Sequence, residues 1–274
     1  MIHASAVVHP QARLDPTVEV GAYAVIDDGV ELGPHCIVGP HVYLTGRTTL
    51  GAHNRLHAGC VIGDAPQDLK YKDEPTRLRI GDHNTFREHV TVHRSNSGTE
   101  DTFIGSHNFL MAHCHVAHNC QLGNHVIIAN GALLAGHVTV QDRAFISGNC
   151  FIHQFCRVGT LAFMQGGAGI SKDLPPFTVA RLGGNTLAGL NTVGLRRAGF
   201  TLQQRTELKR LYRMLFYPTG NFAQALADAR MAFTSPEAKI LLDFVAQAKR
   251  GVCMAKGASD NADDNTAPAD AAPR

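Results

Sequence analysis

The sequence contains no tryptophan, and only 7% of its 274 residues are aromatic, whereas glycine is abundant at 27 residues. This composition is unusual for a β-sandwich or a helical bundle, whose cores depend on large side chains. It fits a fold of short strands joined by frequent tight corners. A chain of this length can bury a full core, in one long domain or in two smaller ones.

Strong charge and long apolar runs are also lacking. The formal net charge is +2 with histidine neutral, so we predict no nucleic-acid partner. No run of about 18 apolar residues could form a transmembrane segment. The N-terminus has neither the basic start nor the apolar core of a signal peptide. We therefore expect a cytoplasmic location, in which the seven cysteines stay free thiols.

A six-residue repeat runs through the first part of the chain. In the frame from Ile2 to Ile170, 26 of 29 positions are apolar, whereas a composition of 44% hydrophobic residues gives about 13 by chance. Four residues after each apolar position comes a small or medium side chain, and six of the seven cysteines fall there. We interpret these cysteines as core packing and not as a metal site of the CxxC type.

This period predicts a parallel β-helix. Each hexad supplies one short strand and one corner, so three hexads close a coil of 18 residues and the repeats make about nine coils. The left-handed sense comes from likeness to known hexapeptide families and not from the spacing. Glycine often follows the apolar residue, as at Gly33 and Gly39. We expect it to supply a corner conformation that other residues resist.

We predict a left-handed β-helix over residues 1–174, a helical domain over 175–254 and a disordered tail over 255–274. Two polar loops, 63–79 and 93–103, interrupt the repeat. Loops on a rigid solenoid are where ligand contacts concentrate.

The helical part carries its own signals. Thr201 and Gln204 fit a capping box, and apolar residues follow at helical spacing. That face contains Leu208, Leu211, Tyr212, Leu215 and Phe216. Two further helices are expected around 222–229 and 240–245.

The segment 111–120, MAHCHVAHNC, places His113, His115 and His118 within six residues. Three histidines could hold zinc as in γ-class carbonic anhydrases, with one position open to water. Although His113 and His118 are suitably spaced, the neighbouring candidates for a third ligand have no unambiguous match. We predict no metal.

An acyl-transfer site is the second interpretation. His118 lies two residues after the inward Val116, near a corner, and His137 follows 19 residues later, about one coil above. A neutral imidazole can take a proton from a sugar hydroxyl. Gly136 lets a backbone N–H approach a developing oxyanion without a side chain in the way.

Six motifs together resemble the UDP-N-acetylglucosamine O-acyltransferases that begin lipid A synthesis, over about residues 1–250. They are QDLKYKDEPTRL at 67–78, TVHR at 91–94, HVAHNC at 115–120, LAGHV at 134–138, HQFC at 153–156 and KDLPP at 172–176.

The resemblance implies a mechanism. His118 would be the general base that removes the proton from the glucosamine 3-hydroxyl of UDP-N-acetylglucosamine. That oxygen would attack the thioester of a 3-hydroxyacyl chain on acyl carrier protein, and the Gly136 amide would stabilise the oxyanion. No acyl-enzyme and no cofactor are implied. The active form would be a homotrimer with its sites between subunits.

The resemblance also implies a set of substrate-binding residues. These are Asp68 and Lys70 in the first loop, His93, His115 and His137 beside the base, His153 and Gln154 near the nucleotide phosphates, Asn191 and Arg197 at the uridine, and Gly166 along the acyl chain.

The sequence departs from the family pattern at several positions. Asn119 stands where the family has aspartate after the catalytic histidine, and an amide cannot stabilise a protonated imidazole as a carboxylate does. Val193 and Ala198 replace a glutamate and an arginine of the uridine segment, with Arg196 a candidate substitute. A basic face for the acidic carrier protein is expected from Arg196, Arg197, Lys209, Arg210 and Arg213.

Two further alternatives remain open. The related UDP-acylglucosamine N-acyltransferase normally carries an extra N-terminal uridine-binding domain, whereas the hexads here start at Ile2. A non-catalytic hexapeptide scaffold would not need the QDLKY loop together with the histidine cluster. The length of the acyl chain, and the choice between a 3-hydroxy and a 3-amino sugar, are also left open.

Overall fold

The computed structural model describes residues 1–217 and 221–255. Up to Ile170 the chain winds into a parallel β-helix in which each coil gives one short strand to each of three sheets. Strands one coil apart pair in register, as Val116 does with Leu134 and Leu134 with Ile152. The predicted left-handed hexapeptide β-helix is confirmed.

The three sheets form three faces. The first face contains Val7–Val8, Val25–Ile26, Tyr43–Leu44, Val61–Asp64, Thr91–His93, His115–Val116, Leu133–Leu134, Phe151–Ile152 and Gly169–Ile170. The second face contains Arg13–Leu14, Glu31–Leu32, Arg47–Leu50, Arg77–Ile80, Thr102–Ile104, Gln121–Leu122, Thr139–Val140 and Arg157–Val158. The third face contains Glu19–Val20, Ile37–Val38, Arg55–Leu56, Thr85–Phe86, Phe109–Leu110, Ile127–Ile128, Phe145–Ile146, Phe163–Met164, Thr178–Ala180, Thr186–Leu190 and Met254–Ala255.

The two loops leave the coil without disturbing its period. Ile62 pairs with Val92, and Val92 pairs with Val116, so these partners are 30 and 24 residues apart instead of 18. The insertions therefore add whole hexads, and the apolar frame resumes after each of them. In the structure the loops occupy residues 65–76 and 94–101, between strands of the first and second faces.

The apolar residue of each hexad and its small partner point into the space between the faces. Phe86, Leu110 and Ile128 are completely buried. The six cysteines of the frame lie there too, as predicted, and are Cys36, Cys60, Cys114, Cys120, Cys150 and Cys156. Their thiols fill narrow positions in which a larger side chain would not fit.

The explanation expected for the glycines was wrong. A Cβ on Gly33 would lie 2.7 Å from the carbonyl carbon of Gly51, and one on Gly39 would lie 2.7 Å from the carbonyl oxygen of Leu56. These glycines are needed for close approach between coils, not for a left-handed backbone. The left-handed position comes two residues later. On one corner it is occupied by the exposed, stacked rings of His35, His53, His83, His107 and His125.

Residues 175–254, predicted as helical, also contain strands. Thr178–Ala180 pairs in parallel with Phe163–Met164, and Thr186–Leu190 adds to it in antiparallel fashion. Met254–Ala255 then joins the edge, so Ala255, predicted as the first residue of the disordered tail, lies in a strand. Thr178–Ala180 pairs with backbone groups that the last coil would otherwise leave open, and the hexad pattern does not predict this strand. The remainder of the predicted tail lies outside the described residues.

Four helices occur in the described ranges: α1 (Thr192–Arg197), α2 (Leu202–Phe216), α3 (Phe222–Ala232) and α4 (Pro236–Ala246). The predicted capping box is present, because Thr201 accepts from the Gln204 amide and Gln204 accepts from the Thr201 amide. The predicted apolar face of α2 is buried. On α4, Leu241 is buried as expected, but Ile240 remains 44% exposed.

Arg157, on the second face of the β-helix, links the β-helix to α4. Arg157 bonds Asp173, with Nη2 2.7 Å from the carboxylate, and it also donates to the carbonyl oxygen of Phe244 on α4. Within residues 1–217 and 221–255, no helix has the length and apolar character needed to span a bilayer.

Candidate active site

His118 lies on the corner between the first and second faces, two residues after the buried Val116. Its ring covers Gly136, one coil above. A Cβ at Gly136 would lie 2.6 Å from Cε1 and 2.7 Å from Nε2 of His118. The missing side chain at Gly136 therefore creates the space that the His118 imidazole occupies.

Residues 18 apart occupy the same position in successive coils, so the corner carries two columns of residues. Gly136 and Gln154 repeat the position of His118, while His137 and Phe155 repeat that of Asn119. The His118 and His137 rings meet edge to face with centroids 5.3 Å apart, and His137 stacks on Phe155 at 4.6 Å. His153 and Gln154 are exposed at the upper end of this corner.

His93 and His115 lie beside the corner, on the first face. Their ring centroids are 4.7 Å apart. Burial, together with the neighbouring His93 and His118, lowers the pKa of His115 to about 4. Burial also lowers the pKa of His93. Both rings are therefore neutral near pH 7, where they can bond hydroxyl or carbonyl groups without adding positive charge.

Hydrogen bonds distinguish these two rings. His115 Nδ1 lies 2.7 Å from the hydroxyl of Thr91. His93 is only 6% exposed, and its Nδ1 has no hydrogen-bond partner in the part of the chain that the structure describes.

His137 is the third histidine of this cluster with a lowered pKa, again mainly through burial, then through His118. Its Nδ1 is 3.8 Å from Glu100 in the second loop, and attraction to that carboxylate raises the pKa of His137.

The first loop brings a carboxylate to the corner. Asp68 accepts from the Lys70 amide at 3.0 Å and from Nδ2 of Asn96 at 2.7 Å. These two bonds, and attraction to His118, lower the pKa of Asp68. The carboxylate is thus ionised close to His118, and the Lys70 side chain extends into solvent.

A polar layer that was not predicted from the sequence lies beneath the second loop. Asn119 is 1% exposed, and its Oδ1 lies 2.9 Å from Nδ1 of His118. Ser95, Asn96 and Thr102 each bond to Asn119. The only signal in the sequence was the polar composition of the loop itself.

Three predicted residues lie away from His118 within one chain. Gly166 occupies the corner between the third and first faces, where an added Cβ would have only the Gly148 carbonyl oxygen nearby, at 3.7 Å. Asn191 caps α1 by accepting from the Gly194 amide, and it donates to the carbonyl oxygen of Leu161. Arg197 is exposed at the end of α1.

No group of three histidine, cysteine or acidic side chains within residues 1–217 and 221–255 has the arrangement of a metal site. The buried thiols are poor nucleophiles. Burial raises the pKa of both Cys114 and Cys120 to about 12. Thiolate is the reactive form, so these side chains do not provide a covalent attachment point.

Comparison with known proteins points to one family. Residues 173–253 match a family model described as UDP-N-acetylglucosamine O-acyltransferase, domain 2, and residues 101–136 match the bacterial transferase hexapeptide. A protein of Halorhodospira halophila named acyl-[acyl-carrier-protein]–UDP-N-acetylglucosamine O-acyltransferase is 46% identical over 92% of this chain and 98% of its own length. One of the same name from Myxococcus xanthus is 47% identical with the same coverage.

The solved structure of a Francisella novicida UDP-N-acetylglucosamine acyltransferase superposes with a TM-score of 0.91 at 33% identity, over 94% of this chain and 95% of that one. These relatives favour the O-acyltransferase interpretation over the N-acyltransferase, the zinc enzyme and the scaffold.

Proposed function

The chain belongs to the acyl-[acyl-carrier-protein]–UDP-N-acetylglucosamine O-acyltransferase family, and on that basis we propose that it moves a 3-hydroxyacyl chain from acyl carrier protein to the 3-hydroxyl of UDP-N-acetylglucosamine. This transfer is the first step of lipid A biosynthesis. The observation that carries the proposal is the placement of the His118 ring directly over the Gly136 backbone. A base and an amide donor thereby share one corner.

We assign proton abstraction to His118. One of its ring nitrogens, Nδ1, faces Asn119, which leaves Nε2 for the substrate hydroxyl. As Nε2 takes the proton, the sugar oxygen attacks the thioester carbon and a tetrahedral oxyanion forms. Collapse of this intermediate breaks the carbon–sulfur bond, and the proton on His118 passes to the leaving thiolate.

The Gly136 amide is assigned to the oxyanion. Its N–H donates to no acceptor among the described residues. A backbone donor that is already in place can stabilise the negative charge without reorganising. Direct transfer agrees with the inert, buried thiols of Cys114 and Cys120.

Substrate contacts are proposed around this pair. Asp68 and Lys70 would bind the sugar and the donor from the first loop. His93, His115 and His137, all held neutral by burial, would bond hydroxyl and carbonyl groups. The exposed His153 and Gln154 would meet the nucleotide phosphates, and Asn191 and Arg197 the uridine. Since both polar atoms of Asn191 already bond within the chain, a uridine contact there would have to share them.

A homotrimer would complete the site. Leu133 and Phe151 on the first face, and Phe155 at the corner, are 50%, 58% and 52% exposed beside His118. Because Gly166 lies on a different corner from His118, it would reach the acyl chain from a neighbouring subunit. An interface cleft would also supply the concavity that a lone β-helix lacks.

The carrier protein would dock on the basic residues of α1 and α2. Arg196, Arg197, Lys209, Arg210 and Arg213 are all exposed, and none pairs with a carboxylate among the described residues. Such a face suits an acidic partner. The proposed location is the cytoplasm, which agrees with free thiols and with a carrier-protein donor.

Transfer to UDP-N-acetylglucosamine is the direct test. The purified protein would be incubated with UDP-N-acetylglucosamine, or its 3-amino analogue, and with 3-hydroxyacyl carrier proteins of graded chain length. We expect transfer with one preferred length. A well-folded trimer that acylates neither sugar with any donor would contradict the proposal.

A further inference from the structure

Asn119 follows the proposed base and is held by four side-chain contacts. Its Oδ1 lies 2.9 Å from Nδ1 of His118 and 3.1 Å from the backbone nitrogen of Asn96. Its Nδ2 lies 2.8 Å from Oγ of Ser95 and 3.3 Å from the carbonyl oxygen of Glu100. Such a saturated, buried amide has one stable orientation.

Two of these partners identify which atom of the Asn119 amide is the oxygen and which is the nitrogen. The Asn96 backbone N–H can only donate, so the atom that it meets must be the amide oxygen. The Glu100 carbonyl can only accept, so the atom facing it must be the NH₂ group. The atom in front of His118 Nδ1 is therefore an acceptor. A neutral imidazole in this place carries its proton on Nδ1 and keeps the lone pair on Nε2.

We propose that Asn119 is a positioning residue that sets the tautomer of His118, and that the second loop, residues 94–101, holds its amide in the required orientation. This inference rests on the proposed function, in which Nε2 of His118 is the basic atom. The second loop would then hold the Asn119 amide through Ser95, Asn96 and Glu100, and would not be an ordinary surface insertion.

The same contacts explain why an amide suits this position. An aspartate at 119 would place an oxygen without hydrogen against the Glu100 carbonyl, 3.3 Å away. It would also set a negative charge beside His118. In this protein the charged or titratable groups around His118 are Asp68, which is ionised, and the three neighbouring histidines His93, His115 and His137. Glu100 reaches the cluster through His137.

Asn119→Gly is the sharpest variant, because Asn119 has a φ of 59° that glycine adopts without strain. Arg143→Gly is its matched control, since Arg143 has the same φ at an exposed corner position outside the cluster. We expect kcat of Asn119→Gly to fall about 10- to 100-fold with KM within about twofold, and Arg143→Gly to stay within about twofold. Equal effects of the two substitutions would overturn the inference.

Asn119→Asp gives a second kinetic readout. A carboxylate beside His118 should move the acidic limb of the kcat–pH profile to higher pH by about one unit. A merely structural role would leave the limb in place, and an unmoved limb would count against the inference.

Nitrogen-15 spectra of histidine-labelled protein read the tautomer without any turnover. The His118 signals are identified by their absence in His118→Ala. We expect the proton on Nδ1 in the unsubstituted protein and a mixture of tautomers in Asn119→Gly. A proton on Nε2 would overturn the inference. Absence of acyl transfer would instead contradict the proposed function, leaving the spectra to decide the tautomer.

Discussion

Four histidines lie on or beside one corner of the β-helix, and their hydrogen-bond partners and burial make them different. His93, His115 and His137 are kept neutral mainly by burial, each with a lowered pKa. His118 is half-buried, with an amide on one side and the Gly136 backbone beneath it. Neutral rings that surround one base can bind a polar substrate without competing for its proton.

Gly136→Ala should disable the site without unfolding the protein. The new Cβ would lie within 2.6 Å of His118 and must push its ring away. We expect kcat to fall at least about 100-fold, as for loss of a general base. Steady-state kinetics would be compared with Gly148→Ala, the same corner position on another edge, whose nearest atom is 3.3 Å away. Similar rates for the two variants would refute the proposed role of Gly136.

Stability should depend on pH through His115. The unfolded chain binds a proton at this residue near pH 6.5, but the folded chain only near pH 4. The unfolded state thus holds more protons between these values, so the contribution is complete above pH 6.5 and is lost as the pH falls towards 4. The free energy of unfolding, measured with urea, should therefore fall by about 2 kcal/mol less for His115→Gln than for wild type between pH 7 and pH 4.5.

His83→Gln, in the exposed stack, is the control for this measurement and should follow the wild-type curve. Parallel curves for wild type and His115→Gln would show that His115 does not titrate in this way.

At the scale of elements, the hexad frame predicted nearly every strand of the β-helix, because one apolar side chain per six residues has to face a narrow core. It could not predict the strands Thr178–Ala180 and Thr186–Leu190, which close the last coil outside the period. Nor could it place Asn119 against Asn96, since loops have no period and their contacts depend on the folded chain.

The docking of the helices depends on Arg157. Its guanidinium pairs with the buried Asp173 and lies 4.2 Å from the ring centroid of Phe244. Arg157→Ala would leave that carboxylate buried without its partner, so we expect a loss of about 3 kcal/mol in the free energy of unfolding. Arg230→Ala, which removes an exposed pair with Asp243, should cost less than about 1 kcal/mol. Equal urea midpoints for the two variants would show that Arg157 does not hold the helices in place.

At the scale of the whole molecule, the apolar residues exposed beside His118 mark the surface proposed to contact a neighbouring copy. The candidate site is divided accordingly, since His118 and Gly166 lie on different corners. The sequence predicted the residues of both corners through the family resemblance. The two corners are far apart within one subunit. Whether they form a cleft depends on how the subunits pack against each other, which the sequence of one chain does not predict.

Leu133→Lys should dissociate the proposed trimer into single subunits. Leu133 is 50% exposed on the first face, and a charged group in a packed interface would carry a large desolvation cost. We expect a monomer by sedimentation and loss of acyl transfer. Met231→Lys, on the exposed surface of α3, should remain trimeric and active. A trimeric and active Leu133→Lys protein would place the interface elsewhere.

His118 is proposed as the base for acyl transfer to UDP-N-acetylglucosamine. The most direct test of this role is single-turnover transfer by His118→Ala, with saturating 3-hydroxyacyl carrier protein and with His83→Ala as the control on the exposed stack. We predict a rate about 10²- to 10⁴-fold below wild type for His118→Ala, and an unchanged rate for His83→Ala. A His118→Ala rate within a few-fold of wild type would show that His118 is not the base.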